Sequence, residues 1–151
     1  MSSRLRKFCG TILSLGLALI AVPLIGCTLP VLEKAECAAA REVVKRFYSF
    51  HFANETSLSA DTLETREPFL TPNLIASLRQ SIAPDQNTDY FTPPGDRPTS
   101  FRVSGCTSTS DDSVLVRVIL LWKNDVESRQ SEVQVEAVKA EKAWRINKVT
   151  N

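Results

Sequence analysis

The sequence has little of what metal and redox chemistry need. It carries 4 cysteines and 1 histidine in 151 residues. There is no Cys-x-x-Cys pair, and nothing with ligand spacing surrounds His51, so neither a metal site, a dithiol site nor any cofactor is expected. Charge of one sign is missing as well, because 18 Lys and Arg stand against 17 Asp and Glu. The runs Glu33 to Arg46 and Glu127 to Lys142 mix both signs and form no basic stripe, which argues against a nucleic-acid partner. No internal repeat or low-complexity tract interrupts the chain. After Cys27 no apolar run approaches the roughly 20 residues that a membrane-spanning helix requires.

What is present begins at the N-terminus. Arg4, Arg6 and Lys7 precede a mainly apolar run from Phe8 to Val22, broken only by Gly10, Thr11, Ser14 and Gly16, and the segment closes on Leu24-Ile25-Gly26-Cys27. The run is short for an uncleaved anchor, and Pro23 interrupts it. The pattern resembles the lipobox of bacterial lipoproteins. That resemblance implies a signal peptide over 1–26, diacylated Cys27 as the first mature residue, a lipidated tether over 27–35 and a single domain over 36–151. Buried acyl chains contribute about 0.8 kcal/mol per methylene, so two or three chains on one cysteine give lasting retention. The expected place is the bacterial cell envelope, on the membrane and facing away from the cytoplasm. Thr28 to Ala35, fully extended, reach about 25–30 Å, which holds the domain close to the bilayer. Without the signal, 15 basic residues face 17 acidic ones, a net of −2.

The same processing divides the cysteines. Cys9 leaves with the signal and Cys27 is consumed by lipid, so Cys37 and Cys106 remain in an oxidising setting. A disulfide between them is the economical reading, and it closes a loop of about 70 residues worth about 4 kcal/mol of chain entropy. The alternative is two buried thiols that never meet. A catalytic cysteine would need His51 as its base.

Apolar periodicity orders the rest. Ala40, Val43, Val44, Phe47, Tyr48 and His51 recur at threes and fours, predicting a helix over 36–52. A short helix is expected between Ser59 and Pro68, and Thr71-Pro72 starts a third helix that runs to about Ile82. Prolines and polar residues over 83–99 read as an irregular connection. Strands are expected at 101–106, 113–123, 130–139 and 143–149, with Thr107 to Asp112 as a polar turn. The strand over 113–123 is apolar on both faces except for Arg117, so it is expected to be covered on both. Arg117 itself should pair with an acid or lie at a sheet edge. Helices before a short-looped meander make the fold α+β, with the helices on a curved four-stranded antiparallel sheet.

Val44, Phe47 and Tyr48 on one helix, Phe69-Leu70-Thr71-Pro72 opening another, Asp89-Tyr90-Phe91 in a loop and Ala143-Trp144-Arg145-Ile146 near the end together resemble a bacterial family of exported domains of unknown function. Such domains are similar to the nuclear-transport-factor-2-like superfamily, which implies a cone-shaped sheet around a pocket. That superfamily holds both enzymes and binding domains, so three functions stay open. The preferred one is a non-catalytic domain that binds a small apolar ligand or a protein, with Tyr48, Tyr90, Phe91 and Trp122 as pocket or interface candidates. A small isomerase or hydro-lyase would use His51 or Asp89 as its acid or base. Against that, a lone histidine on an apolar stripe reads first as a hydrogen-bonded core residue, and Asp89 as a loop brace. A homodimer would pair the sheet face that carries Glu132, Gln134 and Glu136.

Overall fold

The first helix, α1 (Ala35–Ala53), buries Cys37, Ala40, Val44, Phe47, Tyr48 and His51 along one stripe, as its three-and-four spacing dictates. Glu36 lies in its first turn, where a negative charge complements the helix dipole. Asn54 ends it, donating from Nδ2 to the Phe50 carbonyl at 2.7 Å. Ser59 opens α2 (Ala60–Glu64) with a capping box: its hydroxyl accepts from the Thr62 amide at 3.2 Å, and the Thr62 hydroxyl accepts from the Ser59 amide at 2.8 Å. A 3₁₀ turn at Glu67–Phe69 leads to Thr71, whose hydroxyl accepts from Leu74 N at 3.2 Å and caps α3 (Pro72–Ser81). Each such cap contributes about 1 kcal/mol.

The structure is a computed structural model that describes residues 33–82, 88–124 and 127–151. Leu24-Ile25-Gly26-Cys27, with the expected signal and lipidation site, Cys9 and part of the proline-rich connection lie outside the described residues.

Four strands follow: β1 (Ser100–Ser110), β2 (Ser113–Lys123), β3 (Ser128–Ala140) and β4 (Ala143–Thr150). They pair antiparallel in chain order. Glu141 and Lys142, at φ 51° and 69°, make the left-handed two-residue turn that suits a twisted hairpin. At the far edge Leu70 bridges to Ile146, and the Thr71 amide donates to the Ile146 carbonyl at 2.9 Å, which partly covers β4. Val114, Val116, Val118 and Leu120 of β2 lie buried with Val133, Val135, Ala137 and Ile146 on the face that α1 packs against. Burying each of the larger side chains contributes about 1.5–3 kcal/mol. Cys37 and Cys106 form a disulfide, Cα to Cα 5.7 Å across a separation of 69 residues, and it ties the first turns of α1 to β1.

The architecture is the α+β arrangement expected, and two details correct the reading of its sheet. The segment Thr107 to Ser110 continues β1, because serine and threonine tolerate a pleated edge and the Thr109 hydroxyl donates to the Ser113 carbonyl at 2.9 Å. Only Asp111 and Asp112 make the turn. The second correction concerns β2, which among the described residues is covered on one face only. Leu115, 37 % exposed, faces outward with Ile119 and Leu121, since the helices pack against the opposite side.

Candidate functional site

His51 falls on the last turn of α1, Arg66 just beyond α2, and Asp89 in the loop before β1. The fold brings the three side chains together. Arg66 Nε donates to His51 Nδ1 at 3.1 Å, and His51 Nε2 lies 3.0 Å from Asp89 Oδ2. Because a guanidinium can only donate, Nδ1 must present a lone pair, so the ring hydrogen sits on Nε2 and points at the carboxylate. Neither ring nitrogen is left over.

The surroundings close the network further. Arg66 is 1 % exposed, and its other nitrogens donate to the Thr62 carbonyl at 2.5 Å and to the Glu55 carbonyl. Asp89 accepts from the Phe91 amide at 2.8 Å and the Thr92 hydroxyl at 2.7 Å, a turn braced by its own aspartate. Burial pulls the Asp89 carboxyl upward, but the hydrogen bonds from His51, Thr92 and the Phe91 amide outweigh it and hold the group below its ordinary range. Burial likewise lowers Arg66 from its ordinary value, with Asp89 and Glu55 opposing. His51 has no exposed surface: its ring stacks on Phe47 at 5.6 Å and meets Phe91 edge-on at 5.3 Å.

Chemically, this arrangement holds parts together. An imidazole whose donor and acceptor are both engaged, under aromatic rings, reaches no ligand without first breaking the network. Of the two acid–base candidates only Asp89 touches a cleft, a space of about 270 Å³ shared with Thr56, Ser57, Thr92 and Arg97. A carboxylate accepting three hydrogen bonds and held below its ordinary range is a weak base. Among the described residues no group of three or more His, Cys, Asp or Glu is placed to hold a metal, and no helix is long and apolar enough to cross a membrane.

The pocket and interface candidates separate. Tyr48 and Phe91 are fully buried, which corrects their reading as pocket or interface side chains. The Tyr48 hydroxyl donates to the Phe91 carbonyl at 2.9 Å, so the loop folds onto α1 and carries Phe91 inward. Burial, with Asp89 nearby, raises the Tyr48 phenol above its ordinary value. Tyr90 is half-buried against Phe91. Trp122 borders a cleft of about 390 Å³ with Asp96, Arg97, Lys123 and Arg129. Its indole donates to the Asp96 carbonyl at 2.6 Å, and the Arg129 guanidinium lies 4.3 Å over its ring. Arg117 pairs with Glu132 at 3.3 Å on the open sheet face, a central position and not an edge. Cys27 lies outside the described residues.

Sequence reasoning missed Arg66, the partner that fixes His51. The one available signal was chemical: a histidine in an apolar stripe needs two hydrogen-bond partners, and Asp89 supplies one.

Helices packed on one face of an open four-stranded antiparallel sheet define the class as α+β. No protein-family model and no curated protein matches the chain. Among solved structures, a protein of unknown function from Bacteroides thetaiotaomicron is similar, with a TM-score of 0.52 and 19 % identity over 76 % of this chain and 91 % of that one. At that identity the likeness concerns the fold alone.

Proposed function

We propose that this chain is a lipid-anchored envelope protein of the bacterial lipoprotein type, whose nuclear-transport-factor-2-like domain binds a protein partner without catalysis. The saturated chain Arg66–His51–Asp89 carries this reading, because it spends the histidine and the aspartate on the interior. The clefts at Trp122 and Asp89 are lined by charged and polar side chains, which suit a protein surface better than a small apolar ligand. The disulfide supports an oxidising location, and Leu24-Ile25-Gly26-Cys27 supports the anchor. Palmitate labelling of cells that make the full-length chain tests the proposal. Labelled, membrane-associated protein is expected for the natural chain and loss of both for Cys27→Ser, whereas continued labelling of that variant refutes the anchor.

A further inference from the structure

Between α1 and the edge strand β1 lies a groove of about 480 Å³. Ala38, Arg41 and Lys45 form its helical wall, and Phe101 and Val103 the wall on β1. Phe101 is backed by the core, its ring 5.7 Å from Tyr48 and 5.5 Å from Phe52. β1 pairs with β2 on one side, and among the described residues no strand pairs with the other. An edge with unpaired amides and carbonyls beside a helix is a template for an added strand. We propose that this groove takes an extended acidic segment of a partner protein, its backbone pairing with Ser100–Val103 and its carboxylates meeting Arg41, Lys45 and Arg102. This names the partner's chemistry for the protein-binding reading and rests on it.

Charge selects the occupant. Arg41 donates to both Glu33 carboxylate oxygens from Nη1 alone, at 2.9 and 3.0 Å. Its Nε is buried and bonds to nothing, the one such side-chain atom among the described residues. A guanidinium holds a carboxylate best through two parallel N–H bonds, and the edge that Nε shares with Nη2 has no carboxylate on it among the described residues. A buried donor without an acceptor is costly, so an arriving carboxylate gains more here than at a solvated arginine. Lys45, one turn further along α1, and Arg102 on β1 are exposed and have no ion-pair partner among the described residues. Three cations thus border the groove against Glu33 and Glu42, and Arg41 already engages Glu33.

The backbone sets which segment fits. Successive side chains of an added strand point to opposite sides, so one set lies toward Arg41 and Lys45 and the other beside Arg102, whose register partner Ile119 places it on the open face. The register shift between Val103 and Cys106 ends the straight edge and confines pairing to Ser100–Val103. The Cys37–Cys106 bridge, adjacent to Ala38, joins the two walls and holds the groove ready before binding.

The test titrates the full-length protein in detergent with a fluorescent peptide of alternating glutamate and valine. Saturable binding is expected, weakened at least about tenfold when glutamine replaces the glutamates. Arg41→Gln and Arg102→Gln should each weaken it by a similar factor, whereas Lys148→Gln, an equal charge change on the opposite edge strand, should leave it unchanged. N-methylation of every second peptide residue should abolish binding in one register and spare it in the other, because only alternate amides face β1. An intact Cys37–Cys106 bridge in each variant reports folding. Binding that ignores Arg41 and Arg102, equal effects of the two methylation registers, or no binding overturns the inference. A photo-crosslinking amino acid at Ala38, and separately at Thr99 beside Trp122, in intact cells separates this from the protein-binding reading. An acidic segment of another protein joined at Ala38 supports the inference. Joining of Ala38 to residues 28–32 of the same chain gives the groove to its own tether and overturns the partner. Crosslinks to another protein from Thr99 alone overturn the groove and leave the protein-binding reading standing, and none from either position counts against both.

Discussion

The two ends of α1 are fastened by different chemistry. At its first turns Cys37 is joined covalently to Cys106 on β1. At its last turn His51 is held by hydrogen bonds, to Arg66 on one side and to Asp89 on the other. A disulfide acts mainly by restricting the unfolded chain and is indifferent to moderate acid, but a reductant removes it. The polar chain acts in the folded state and is indifferent to reductant, but it fails when a proton arrives or a partner is cut away. One helix therefore carries two fastenings with opposite weaknesses, and each can be released alone.

The largest expected effect comes from the covalent end. Replacing Cys37 and Cys106 together by serine should lower unfolding free energy in urea by about 4 kcal/mol, given a separation of 69 residues. A loss below about 1 kcal/mol would mean that the reduced chain is already restricted by other structure. At the other end Arg66→Ala leaves the buried His51 Nδ1 without its donor and removes the guanidinium's bonds to the Thr62 and Glu55 carbonyls, and should cost about 3 kcal/mol in the same assay. The two losses should add, because the sites lie at opposite ends of a 19-residue helix.

Acid gives the smaller and more selective effect. The Asp89 carboxyl is held below its unfolded value, so its contribution is complete at neutral pH and is lost as pH falls through the depressed folded value. Unfolding measured from neutral pH down through the carboxylate range, around pH 4, should show stability declining on the acid side. Asp89→Asn should flatten that decline, whereas Cys37→Ser with Cys106→Ser should leave its shape unchanged. An unchanged acid limb in Asp89→Asn would remove Asp89 from the account.

How much of this was legible depended on the range of the signal. The stripe of α1 and the caps at Ser59 and Thr71 are local patterns, and the observed elements begin within a residue or two of them. The pairing of Cys37 with Cys106 was the economical expectation once the N-terminal pattern set Cys9 and Cys27 aside, and the structure holds that bridge. Boundaries failed where composition and geometry disagree, as at Thr107 to Ser110, whose polar residues read as a turn and form the end of β1. The second face of β2 failed for a related reason, since periodicity reports which positions are apolar and not what covers them. Phe91 lay in a polar loop and became core because Tyr48 and Asp89 bind the backbone around it. Arg66 had no local signature for this role, since His51 lies 15 residues back along the chain and Glu55 11 back, and the one local partner is a backbone carbonyl at Thr62.

The account turns on His51 being a fastening and not a proton carrier. A long-range nitrogen–proton correlation spectrum of the labelled protein near neutral pH reads this directly, because the chain has 1 histidine and the spectrum separates its two ring nitrogens. The predicted result is a single neutral tautomer with hydrogen on Nε2 and a bare Nδ1, its proton exchanging slowly with water. Hydrogen on Nδ1, a charged ring, or a ring proton exchanging freely with solvent would contradict it.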